Sequence, residues 1–385
     1  MSVASGIEVR VLRPPLLDLA GEWNDLASSA SPNVFMHPAA INAAHETGFA
    51  RIHVLVARQH GNDGQDARLV GIWALEEQRV FPFGPRYLAA LPHRYAFLGS
   101  PAVARGCARE VIAAMLATLT TDRSLPKALL ARYLDGDPEI SDALAAGGHV
   151  RRRIVFNERT RAFFTPEAGA KRSGSTRKKL RQDWNRLATA GAVAIINDRE
   201  PDAVRAAFEI FLTMEAASWK GEAGTALLSD PADARFARRM IAGYADCGNG
   251  SIALLTVDGK PIAAQVVLMS GAHAYTWKIA YDQAYQRYSP GSLLVDRLSE
   301  MLVADGFTAI DSCSPEGGFM NTLWSGRQST IDAILEIGPH PTLTFPLLAA
   351  KTLARAFLKR RWLALRDAMN RRATKSATAA PPISS

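Results

Sequence analysis

Between residues 251 and 281 three apolar, β-branched runs alternate with two tight reversals, and that pattern leaves the chain little choice of local fold. Residues 251–257, 261–269 and 273–281 each read as a strand, joined by Asp258-Gly259-Lys260 and Ser270-Gly271-Ala272. Asp-Gly is a pair that tight hairpins favour, because the turn needs positive φ and glycine reaches it without steric cost. An antiparallel three-stranded meander is therefore predicted. Helical periodicity surrounds it. A basic helix is expected over 176–189, with Leu180, Trp184 and Leu187 on one face, then a short strand over 192–196 and helices over 202–219, 236–245 and 291–304. Strands over 308–311 and 330–336 complete this half.

The first half repeats the order less clearly: a strand over 7–12, helices over 16–27 and 39–47 around the turn-rich Ser31-Pro32-Asn33, and strands over 52–58 and 67–75 separated by the reversal Gly61-Asn62-Asp63-Gly64. A helix over 108–119 and a strand over 128–133 follow. A chain of 385 residues has room for two domains at roughly 100–200 residues each. The predicted class is α/β (mixed α+β), a duplicated fold over 1–165 and 166–341, each unit a mixed, largely antiparallel sheet flanked by helices. Past Pro341, Leu353, Phe357, Leu358 and Trp362 stand against Arg355, Lys359, Arg360 and Arg366. A basic amphipathic helix is expected over 342–372, packed on the body or in peripheral contact with a membrane, with a disordered tail over 373–385.

The apolar fraction, 48%, suffices for two cores, and no apolar run of membrane-spanning length occurs. Cys107, Cys247 and Cys313 are widely separated and fit neither a disulfide framework nor a zinc site, so no metal is expected. With no signal-peptide pattern, the expected location is the cytoplasm. The net charge of +8 favours an anionic partner, and the excess is concentrated at 151–153, 171–181 and 351–372. Hydrolase elbows, P-loops, His-Glu-x-x-His and dinucleotide fingerprints are absent from the sequence.

The chemistry points to the segment after the third strand. Ser289-Pro290-Gly291-Ser292 reads as a helix start, with serine at the cap and proline at the first helical position. The amides of Gly291, Ser292 and Leu293 would then face an anion at the positive end of the helix dipole; the alternative is an ordinary capped helix. Upstream, Val204, Phe208, Phe211, Glu215 and Trp219 share one helical stripe, which sets the Glu215 carboxylate against the core. Such a group is either paired with a cation, Lys220 being the nearest, or sits in a cleft with a raised pKa, where it could act as a base. Lys278 and Asp282 flank a strand end and could hold a phosphate and orient an acceptor; a solvated strand end is the alternative. Tyr281, Tyr285 and Tyr288 each offer a phenol as a general acid.

This segment, with Glu215-Ala-Ala-Ser-Trp219-Lys220-Gly221, the stretch 311–324 and the opening Ser31-Pro-Asn-Val-Phe35, resembles the CelD-type acetyltransferases of the GNAT superfamily, relatives of the Fem-type aminoacyl transferases. The resemblance reaches to about Pro341. It implies tandem GNAT-like domains and an acyltransferase that moves an acyl group from acetyl-CoA or another acyl-CoA to an amine or hydroxyl on a small molecule or glycan of polysaccharide or envelope metabolism. By the same resemblance Arg287, Tyr288, Ser289, Gly291 and Ser292 would grip the cofactor, and Asp311 matches a recurrent family aspartate; Glu215, Asp282 and Tyr281 are the expected catalytic residues, and Trp219, Lys220, Lys278 and Asp311 the expected acceptor contacts. The family's glycine-rich phosphate loop retains only Gly291, and the lysine expected before Trp324 is missing. Aminoacyl transfer from tRNA and a non-catalytic accessory role in exopolysaccharide synthesis are the competing expectations; otherwise no nucleic-acid partner is expected.

Overall fold

The computed structural model describes residues 6–16, 18–30, 32–60, 67–136, 138–146, 148–169, 173–314 and 318–378. The first half runs β1 (Ile7–Leu12), α1 (Leu19–Ser29), α2 (Pro38–Glu46), β2 (Ile52–Gln59), β3 (Arg68–Arg79), β4 (Arg86–Ala89), β5 (Ala102–Val103), α3 (Ala108–Thr121), β6 (Ala128–Asp135), α4 (Pro138–Ala146) and β7 (Val150–Phe164). The second runs α5 (Pro166–Gly169), α6 (Gly174–Ala188), β8 (Val193–Ile196), α7 (Pro201–Ala216), α8 (Trp219–Glu222), α9 (Pro231–Asp246), β9 (Gly250–Val257), β10 (Lys260–Ser270), β11 (His273–Tyr281), α10 (Pro290–Ala304), β12 (Ala309–Asp311), α11 (Met320–Leu323), β13 (Gly326–Ile337) and α12 (Thr344–Thr378).

The predicted meander is present: β9, β10 and β11 pair antiparallel in sequence order. The Gly61–Gly64 reversal lies outside the described residues, but the strands it was to join do pair, Val54 opposite Ala74. All strands but one lie along a single path, β1-β2-β3-β4-β6-β13-β7-β12-β11-β10-β9-β8, with β5 beside β3. Read inward from its two ends, this order gives the same succession for each half. At the centre the halves exchange their last strands: β13 pairs with β6, and β7 pairs with β12. The sheet is mixed and largely antiparallel, its parallel contacts being β4 with β6 and β11 with β12, one in each half.

β7 is the element the sequence hid. Three of its arginines face carboxylates of β13: Arg151 and Arg152 donate to Glu336 at 2.9 and 2.7 Å, and Arg159 donates to Asp332 at 2.5 Å. A charged run thereby becomes a central strand, since a buried carboxylate needs a cation and a guanidinium supplies several donors in a fixed fork. Helices cross between halves as well. On α9, Tyr244 donates to the Val34 carbonyl at 2.7 Å, and Gly243 lets α9 approach α2, where an added Cβ would lie 3.0 Å from that of Ala39.

Two expectations are corrected. Trp219 does not continue the core stripe: α7 ends at Ala216, and Trp219 opens α8 with 57% of its surface exposed. The C-terminal helix continues to Thr378, into the expected tail; residues 379–385 lie outside the described ones. Its first turns bury Phe345, Leu348 and Ala349 against Val80, Tyr87 and Leu130, while Leu353, Phe357, Leu358 and Trp362 are exposed.

Candidate active site

The site begins at a bulge. Lys278 of β11 lies opposite Val266, and Thr276 lies opposite Val267, so Trp277 has no partner of its own on β10. An extra residue bends a strand and re-aims its side chains. Trp277 packs with the first half, its indole donating to the Tyr95 carbonyl at 3.0 Å. At the same place β11 leaves its parallel neighbour: β12 pairs only with His273–Tyr275, and among the described residues no strand accompanies β11 from Thr276 to Tyr281 on that side. The parting of two parallel strands exposes backbone polar groups that a ligand can pair with.

The equivalent parting in the first half is closed by the chain itself. β4 and β6 pair only through Leu88–Leu129 and Ala89–Leu130. Gly99 then threads between them, so close that a Cβ would lie 2.3 Å from the Arg132 carbonyl oxygen and 2.5 Å from that of Ala90. Its carbonyl accepts from the Trp73 indole at 2.9 Å. The two halves share a topology, but the first half's gap is filled with backbone.

Beside the open parting, Glu215 of α7 is completely buried. Its Oε1 accepts from Lys220 and Lys278, each at 3.3 Å, and its Oε2 from the Leu227 amide at 2.9 Å. Lys220 also donates to the Ile279 carbonyl at 2.9 Å, tying α8 to β11. Lys278 lies over the Tyr95 ring, its Nζ 5.1 Å from the centroid. Burial lowers the pKa of Lys278 from its ordinary value, and the adjoining Glu215 offsets this in part. Of the two fates open to Glu215, the geometry selects pairing with cations. A carboxylate closed off from solvent and accepting from three donors is held as the counter-charge of the two lysines.

The helix start after β11 departs from expectation in detail. A 3-10 turn, Gln283–Tyr288, precedes it, and Ser289 adopts left-handed φ and ψ of 54° and 48° and makes no side-chain cap. The amides of Ser292 and Leu293 donate to the Ser289 carbonyl at 2.9 and 3.1 Å, so neither is held open for an anion. Gly291 faces the sheet, not solvent: a Cβ there would stand 3.3 Å from Ile279 Cδ1 and 3.7 Å from the Tyr281 ring. The glycine serves helix–strand packing. Cations gather here instead. Lys179 of α6 donates to the Ser289 hydroxyl at 3.0 Å, Arg186 donates to the Arg287 carbonyl at 3.2 Å, and Arg287 donates to the Tyr288 hydroxyl at 2.7 Å. Lys179 belongs to the basic run 171–181, which the sequence offers either as a receiver for an anionic acceptor or cofactor phosphate or as a solvated helix face; Lys171 and Arg172 lie outside the described residues.

Asp311 is not at the cleft. It is buried at the β12–β7 seam, paired with the equally buried Arg161, and accepts from the Cys313 amide at 2.9 Å. Burial raises its pKa although Arg161 pulls the other way. Tyr281 and Asp282, by contrast, line a cavity of about 600 Å³ together with Ile210, Thr213 and Met214 of α7 and Lys260 of β10. Asp282 accepts from the Ala284 amide at 3.0 Å and from Lys260 at 3.4 Å. The exposed Trp219 lies outside this lining. Among the described residues, no group of three His, Cys, Asp or Glu side chains is placed to hold a metal.

Residues 174–317 match the family model described as an acetyltransferase (GNAT) domain. The matched stretch runs from α6 through β12 and so includes the bulged and parting strands. Among solved structures, the chain resembles FemX, with 12% identity, 85% of this chain and 97% of that one covered, and a TM-score of 0.54. It also resembles the C-terminal domain of a putative lysylphosphatidylglycerol synthetase from Agrobacterium fabrum, with 13% identity, 87% and 94% covered and a TM-score of 0.52. L-PGS from Bacillus licheniformis follows with 14% identity, 89% and 97% covered and a TM-score of 0.50. Identities this low establish a shared fold. Among curated proteins none matches the sequence.

Proposed function

We propose that the protein is an acyltransferase that uses acyl-CoA, most simply acetyl-CoA, and that the reaction takes place in the second half alone. The observation that carries this reading is the asymmetry of the two partings: Gly99 fills the first, while in the second, among the described residues, no strand pairs with Thr276–Tyr281 on the β12 side. The pyrophosphate would lie among Lys179, Arg186 and Arg287 and the thioester along β11. The acceptor amine or hydroxyl would enter the cavity beside Asp282. As the acyl carbon bonds to the acceptor, the carbon–sulfur bond breaks; Asp282 takes the acceptor's proton, and the Tyr281 phenol protonates the departing thiolate. A polysaccharide or envelope acceptor, as in CelD-type enzymes, and a cytoplasmic location are part of this reading.

Titration calorimetry tests the donor. Acetyl-CoA should bind the wild-type protein, and Lys179→Glu with Arg287→Glu should weaken it by roughly tenfold or more, about 1.4 kcal/mol. If neither acetyl-CoA nor a longer acyl-CoA binds even at millimolar concentration, the reading fails. Aminoacyl transfer from tRNA, favoured by the likeness to FemX over most of the chain, and the accessory role would then replace it.

A further inference from the structure

We infer that the face formed by the β3–β4 turn and α12 docks on an anionic phospholipid bilayer. Two elements far apart in sequence meet there. The turn Phe81-Pro82-Phe83-Gly84 presents Phe81 half exposed and Phe83 fully exposed. α12 runs past its base: Lys351 donates to the Val80 carbonyl, and its Nζ lies 5.8 Å from the centroid of the Phe81 ring. Beyond the packed turns of α12, Leu353, Phe357, Leu358 and Trp362 are exposed, and Leu343 and Leu347 are exposed at its start. Arg360 holds the helix to the body by donating to the Phe156 carbonyl at 3.0 Å and to Asn157 at 2.9 Å. The exposed apolar side chains therefore sit on an anchored surface.

Charge selects the occupant. No Asp or Glu occurs from residue 337 to 366 or from 79 to 86, whereas Lys351, Arg355, Lys359, Arg361, Arg79 and Arg86 do. A second copy of the chain would bring cations against cations. Nucleic acid would satisfy the cations but leave the exposed leucines in water. Only an anionic lipid interface takes both, with cations among headgroups and aromatic and aliphatic side chains entering the headgroup–acyl boundary. No helix among the described residues is long and apolar enough to cross a membrane, so the contact is peripheral.

Cosedimentation of the full-length protein with vesicles tests this. The protein should pellet with vesicles containing phosphatidylglycerol and not with phosphatidylcholine alone, and raised salt should release it. Phe81→Ser with Phe83→Ser should weaken binding by roughly tenfold or more, as should Arg355→Glu with Lys359→Glu and Arg361→Glu. All five side chains lie on the surface, so thermal melts of both variants should match wild type. Three outcomes overturn the proposal: no pelleting at low salt, equal pelleting with both lipids, or wild-type binding in either variant. RNA binding that the charge variant abolishes, without any vesicle binding, would assign the face to nucleic acid instead.

Discussion

Replacing Glu215 with glutamine preserves shape and keeps an acceptor for the Leu227 amide, but removes the charge that Lys220 and Lys278 share. Each ammonium lies 3.3 Å from Oε1, where the attraction at an effective dielectric of about 20 is roughly 5 kcal/mol per pair. Most of that is spent on keeping three charges out of water, so the net cost of Glu215→Gln comes from leaving two lysines unpaired. Removing one partner of a buried pair costs about 3–5 kcal/mol, and the partial exposure of both lysines places this case near 3 kcal/mol. Chemical denaturation should show the loss as a lower midpoint at unchanged slope, with specific activity per folded molecule within a fewfold of wild type. Glu215→Leu combined with Lys278→Met should cost less than the two single changes added together, because the pair is removed as a unit. A Glu215→Gln protein of wild-type stability, slowed by a factor on the order of 10²–10⁴, would show that the carboxylate is the catalytic base after all.

Glu336 anchors the start of α12. Although burial raises its pKa, the Thr342 amide, Arg152 and Arg151 outweigh this and bring it down to about 2. Its contribution is therefore present above the ordinary carboxylate pKa and lost as pH falls toward 2; the stability gap between wild type and Glu336→Gln, about 3 kcal/mol at neutral pH, should shrink over that window in acid denaturation. His93 is buried among Phe35 and Phe236, neither ring nitrogen has a partner among the described residues, and burial lowers its pKa to about 3. It stays neutral in the fold while the unfolded chain binds a proton below about pH 6.5, so stability should fall by about 5 kcal/mol as pH drops from above that value to below 3, and His93→Leu should flatten the dependence. Gly291→Val should destabilise by about 1–3 kcal/mol through contact with Ile279 and Tyr281, and thermal melts without ligand should show it.

Which parts of this molecule could be read in advance follows from how far apart in sequence the deciding contacts lie. The β9–β11 meander was legible because Asp258-Gly259 settles its first hairpin within a few residues. β7 was not, because its arginines make sense only beside Glu336 and Asp332, more than 170 positions later. The exchange of β7 and β13 between halves has no local signal either, since each strand completes the sheet of the other half. At the site the same division holds. The stripe through Phe208, Phe211 and Glu215 correctly buried the carboxylate, and Lys220, five residues on, was within reach of sequence reasoning. Lys278 and the Leu227 amide were not, and these decide what the carboxylate does. Gly291 was read as room for a phosphate because a glycine at a helix start looks alike whether it faces a ligand or a strand; only Ile279 across the interface distinguishes the two. The closed parting at Gly99 carries the most weight in placing the proposed reaction, and it needed both Ala90 and Arg132 in place before the absent side chain acquired a meaning.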